Sequence, residues 1–80
     1  MTTLDLVRKS IAGTLGRETR DVGAHGDLFD RLGCNVFGFV DIVLNLELDF
    51  GIALADGEVS GCRTPAAFAD VIERKWAGAA

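Results

Sequence analysis

The sequence predicts an all-α fold, a four-helix bundle of three main helices plus a short third helix, with a long loop after the first, and three observations point to it. Apolar residues recur at helical spacings near both ends, at Leu4, Val7, Ile11 and Leu15 and again at Phe68, Val71 and Ile72. The apolar run from 36 to 50 is too long for a strand, which usually stops at about 5 to 6 residues. Glycines and a Thr64-Pro65 pair stand where these segments would begin or end. At 80 residues the chain is read as one domain, 1–80. A domain of this size buries only about 60% of its unfolded surface, so its core must pack efficiently.

The first helix is expected over 3–15, with Arg8, Lys9 and Ser10 largely off its apolar stripe and Gly16 as a left-handed stop. From Arg17 to Asn35 the chain turns polar and glycine-punctuated, which reads as a loop. A loop of that length needs its own anchors, and Val22, Leu28, Phe29 and Leu32 can supply them, with "DLFDRLG" able to form one helical turn. The second helix is placed at 36–50, capped by Asn35 and stopped by Gly51, and Gly38 is expected to cost it up to about 1 kcal/mol relative to alanine. "ADGEVSG" suggests a short, weakly held helix at 56–61 with Asp56 as a possible cap. A last helix at 65–76 opens on Thr64 and Pro65, with Lys75's stem turned inward and the tail from Ala77 to Ala80 fraying. The expected core is Leu4, Val7, Ile11, Leu15, Leu28, Phe29, Leu32, Phe39, Ile42, Val43, Leu46, Phe50, Leu54, Phe68, Val71 and Ile72.

The helix at 36–50 has two apolar stripes. Phe39, Ile42, Val43, Leu46 and Phe50 lie along one; Phe37, Val40, Leu44 and Leu48 lie along the other, beside Asp41 and Glu47. A bundle this small can hardly cover both, and exposed apolar surface with an acidic border suits partner docking. The alternative is a helix buried nearly all round, with Phe37 and Val40 under the long loop. Val40 fits either arrangement, Leu44 and Leu48 favour exposure, and full burial of Phe37, Leu44 and Leu48 would exclude a docking face.

Composition limits the function classes. With 49% hydrophobic and 25% charged residues the chain is that of a folded protein. Its formal charge of −4 is concentrated in the middle, where Arg31 is the lone base between residues 21 and 58. Such a middle repels phosphate backbones, which argues against nucleic acid. Cys34 and Cys62 read as free thiols, too few for a disulfide scaffold and not spaced for zinc. No N-terminal stretch looks like a signal, and Asp41, Asn45, Glu47 and Asp49 interrupt the apolar run, so a cytoplasmic chain off the membrane is expected. His25 lacks the partners of a catalytic set, and Gly23 and Gly26 do not form a phosphate cradle. No catalytic residue and no metal site are expected.

"DLFDRLGCNVFGFVDIVLNLELDFGI" and "RTPAAFADVI" carry a further likeness. With "LG" followed after two residues by the main helix, the chain resembles the acyl carrier protein family, which includes peptidyl carrier domains, from Leu4 to about Lys75 without needing a gap. In that family an Asp-Ser-Leu motif opens the second helix, and its serine carries a phosphopantetheine arm that holds acyl or aminoacyl thioesters. The resemblance places that motif on Asn35, Val36 and Phe37. Valine has no atom to esterify, and no Ser or Thr lies between Thr19 and Ser60. Asn35 also lacks the charge of the family's aspartate.

The resemblance therefore implies no phosphopantetheine on this sequence as written. It implies a docking protein that binds carrier-dependent synthases, ligases or transferases of a fatty-acid, polyketide or peptide-assembly pathway through Phe37, Val40, Asp41, Leu44, Glu47 and Leu48. Two alternatives stay open: an acyl carrier protein whose serine is substituted in this version, and a self-associating helical module, although a monomer is expected. Cys34 raises one more, since a thiol near a helix N-terminus can have a lowered pKa and accept an acyl group directly, against the simpler reading of a small, half-buried loop residue.

Overall fold

Thr2 starts the first helix by reciprocal capping: its Oγ1 accepts from Asp5 N (3.1 Å) while the Asp5 carboxylate accepts from Thr2 N (3.2 Å). In the computed structural model, which describes residues 1–79, this helix is α1, Thr3–Leu15. It is followed by a 3-10 turn at Thr19–Asp21, then α2 at Leu28–Leu32, α3 at Val36–Phe50, α4 at Asp56–Val59 and α5 at Pro65–Ala79. The described residues form an all-α helix bundle without strands, and no helix among them is long and apolar enough to cross a membrane. Gly16, Gly33 and Gly51 end α1, α2 and α3 with φ of 67°, 66° and 64°, the left-handed geometry that favours glycine.

The core lies where α1, α3 and α5 meet. Val7, Ile11, Ile42, Leu46, Phe68 and Ile72 are fully buried there, and Leu54 and Val71 nearly so. The other expected core residues, Leu4, Leu15, Phe29, Leu32, Phe39, Val43 and Phe50, are partly buried against it, apart from Leu28, which is fully buried. Phe39 sits between Phe29 and Phe68, at ring-centroid distances of 5.9 and 5.8 Å. Ala12, Val22, Cys34, Val59, Cys62 and Ala69 complete the core. The small residues among them lack the bulk that marks an apolar stripe in a sequence.

The long loop is not structureless. Val22 and Leu28 are its fully buried anchors, and Asp27 caps α2 by accepting from Phe29 N and Asp30 N, both at 2.9 Å. Arg8, expected to stand off the packed stripe, instead ties this loop to α1: its Nε donates to Val22 O (2.6 Å) and its Nη2 to Thr19 O (3.1 Å). Ser10 is likewise drawn in, its Oγ buried. A second set of bonds joins the loop to the segment before α5. Leu28 N donates to Arg63 O (2.7 Å), Ala66 N to Ala24 O (2.9 Å), and Arg63 Nε and Nη2 to the Asp27 carboxylate (2.6 and 3.2 Å).

Three boundaries or caps differ from expectation. The short helix α4 ends at Val59 rather than 61, and Asp56 is its first helical residue, not its cap. Glu58 caps the turn instead, its Oε1 accepting from Ala55 N and from Lys75 Nζ, both at 2.9 Å. The last helix runs past 76 to Ala79, with Trp76 packed on Phe50 at 5.4 Å between centroids, so the segment from Ala77 to Ala79, expected as a tail, is helical; Ala80 lies outside the described residues. Thr64 does cap α5, accepting from Ala67 N at 3.2 Å.

Candidate functional site

The head of α3 is built by its cap. Asn35 Oδ1 accepts from Gly38 N (2.9 Å) and Asn35 O from Phe39 N (2.8 Å), which fixes Val36 as the first helical residue. Gly38, a weakness by helix propensity alone, has a packing reason. A Cβ there would lie 3.2 Å from Cys34 Sγ and 3.6 Å from Leu15 Cδ2, so glycine lets the preceding loop close against the helix. The first-turn amides have no intrahelical acceptor, which leaves partial positive charge beside Val36.

From that head a stripe runs down the outside of α3. Val36, Phe37, Val40, Leu44 and Leu48 are 67%, 78%, 51%, 51% and 79% exposed, while Ile42 and Leu46 on the opposite side are fully buried. Residues 36, 40, 44 and 48 follow the i, i+4 spacing that stacks side chains along one helix face. The helix is thus buried on one side only, and Val40 belongs to the exposed side. Asp41 is exposed at one edge of the stripe. Glu47 is half-buried at the other, and its Oε2 accepts from Leu54 N (2.8 Å). That carboxylate holds the turn after α3, a role its position in the stripe does not suggest.

Beside Val36 lies a depression of about 350 Å³, walled by Phe29, Val36, Phe39 and Cys62 and rimmed by Ser60 and Arg63. The Arg63 guanidinium carbon stands 4.6 Å from the centre of the Phe29 ring. Sequence reasoning missed Ser60 and Arg63 as neighbours of position 36, because only the fold brings the segment before α5 to the head of α3. Ser60 is an exposed residue at the end of a four-residue helix. It therefore lacks the first-turn amides of a long helix that would favour a phosphate.

The residues at the head of α3 do not fit a covalently attached phosphopantetheine. Val36 presents hydrocarbon, Asn35 Oδ1 is engaged as the cap, and Cys34 is buried. Burial pushes the Cys34 thiol up from its ordinary value, opposite to the lowering expected from the nearby helix N-terminus, and Sγ donates to Asn35 O at 3.4 Å. Burial and the raised thiol favour the simpler reading of Cys34 as a small packed residue over direct acyl loading. Cys62 is also free and buried, its thiol likewise raised by burial. His25 is exposed on a turn closed by Gly26 N donating to Gly23 O (3.3 Å). No group of three or more His, Cys, Asp or Glu among the described residues is arranged to hold a metal ion.

The family model described as "Phosphopantetheine attachment site" matches residues 5–72, from the first turn of α1 to the middle of α5.

Proposed function

The chain belongs to the phosphopantetheine attachment site family of non-catalytic carrier modules, and from that premise we propose that it acts by docking rather than by carrying. Members of this family interact with carrier-dependent synthases. Here the exposed stripe of α3 is the recognition surface, with Phe37, Val40, Leu44 and Leu48 as its apolar centre and Asp41 and Glu47 on its borders. Glu47 acts mainly by holding the following turn, so Asp41 is the acidic group offered to a partner.

One observation carries this reading: a continuous apolar stripe is open to solvent on the helix whose first residue, Val36, cannot be esterified. Covering five exposed side chains with a partner's apolar surface supplies the driving force. The stripe is much smaller than the about 20 to 30 residues per side of a standard interface, which suits transient engagement of carrier-dependent synthases, ligases or transferases. On this reading the molecule holds no phosphopantetheine.

The test uses a phosphopantetheinyl transferase and coenzyme A. The chain as written is expected to gain no mass, yet to slow modification of a conventional carrier protein by competing for the transferase. Phe37→Glu and Leu48→Glu abolish that competition. Val36→Ser is expected to gain the mass of one arm, which also addresses the reading of a carrier protein whose serine is substituted. Absence of both competition and modification of Val36→Ser would falsify the docking proposal.

A further inference from the structure

Beside the C-terminal half of α3, off the exposed stripe, a groove of about 670 Å³ opens between α1, α3 and α5. Its size lies within the roughly 300 to 1,000 Å³ of small-molecule sites, and gaps between bundle helices are a common place for them. Leu6, Phe50 and Trp76 form the apolar walls. Leu6 and Trp76 are 40% and 42% exposed, and Trp76 makes an aromatic corner with Phe50. The floor is polar and fixed: Asn45 Nδ2 donates to Thr14 Oγ1 (2.8 Å), which donates to Ser10 O (2.9 Å).

Two opposite charges line this groove, Lys9 from α1 and Asp49 from α3. Among the described residues neither forms an ion pair, with the other or with any third group. A ligand with a single charge would meet one attraction and one repulsion. A zwitterion meets two attractions, and an apolar side group on it would cover Phe50 and Trp76.

We propose that the groove between α1, α3 and α5 binds a small zwitterion bearing an aromatic or branched apolar group, such as a free amino acid of that kind. This site is independent of the docking stripe. It uses Asn45, Asp49 and Phe50 of α3, whereas the stripe uses Val36, Phe37, Val40, Leu44 and Leu48, so both can be occupied together.

Trp76 is the only tryptophan, so its fluorescence reports on the groove directly. L-phenylalanine, 3-phenylpropionate and phenethylamine share a body and differ in charge. Titration is expected to give a saturable change in the millimolar range with L-phenylalanine, and binding about three- to fivefold weaker for each singly charged probe, the size of one exposed charge contact. Lys9→Ala weakens L-phenylalanine by a similar factor and strengthens phenethylamine. Gly13 lines the groove, and a Cβ there meets nothing within 4 Å. Gly13→Leu therefore fills the groove while improving the helix, and is expected to abolish the signal with the thermal midpoint maintained or raised. No saturation with L-phenylalanine, equal affinity for the three probes, or undiminished binding by Gly13→Leu overturns the proposal.

Discussion

The two sides of α3 are made of the same residue types and meet opposite surroundings. Ile42 and Leu46 are fully buried, whereas Leu44 and Leu48, two positions further along in each case, are exposed to water. Side-chain chemistry cannot distinguish them. The difference comes from supply: α1 packs along one side of this fifteen-residue helix, α5 meets it through Phe68 on Phe39 and Trp76 on Phe50, and α2 reaches only its head through Phe29 on Phe39. Whether an apolar residue of this helix is enclosed or left in water thus depends on the partners available within the fold.

The largest expected effect tests that contrast directly. Leu46→Ala is expected to lower unfolding free energy by about 2 to 5 kcal/mol, through lost burial and the cavity left behind. Leu48→Ala is expected to stay within about 0.5 kcal/mol. Urea denaturation of both variants measures the difference, and comparable losses would mean that the outward side is also packed. Next in size is Asn35→Ala, which removes the cap that orients the head of α3. A loss of about 1 kcal/mol is expected, seen as a lower denaturation midpoint with an unchanged slope.

The smallest effect concerns the clamp flanking that head, and it appears only in acid. Hydrogen bonds from Arg63, then from the backbone of Asp30 and Phe29, hold the Asp27 carboxyl below its ordinary value of 3.8. The unfolded chain therefore takes up this proton first as pH falls. The contribution of Asp27 is complete above about pH 4 and is lost as pH drops from there through the lowered folded value. Asp27→Asn is expected to reduce the slope of stability against pH below about pH 4 without removing it, because Asp5 and Glu58 are lowered in the same direction by Thr2 and Lys75. An unchanged acid limb in thermal melts would show that the clamp forms no linked pair.

The ends of α1 and α3 were legible because their signals are local: an apolar period, a capping side chain, a glycine in the left-handed region. α4 was harder to bound, since a four-residue helix has too few positions for a period and its cap is a carboxylate two residues inside. The exposed stripe was legible as a surplus of apolar residues over what a small bundle can cover. Ser60 and Arg63 beside Val36 were not legible, because they reach it through the fold of the whole chain. For Cys34 the sequence offered two readings, a thiol near a helix end and a small packed loop residue, and its burial, which raises the thiol, favours the second.

The Asp27–Arg63 clamp also bears on the order in which the molecule assembles. Its partners are 36 residues apart, and the chain between them contains all of α3 and α4. Closing so long a loop carries an entropy cost that two exposed charges cannot offset unaided, so the pair is expected to engage after α3 has settled against α1. Asp27→Asn is then expected to leave the refolding rate nearly unchanged and to speed unfolding, placing the clamp on the native side of the barrier. That outcome would make the clamp a latch on the finished structure, prolonging the lifetime of the folded state around the head of α3 without guiding its formation.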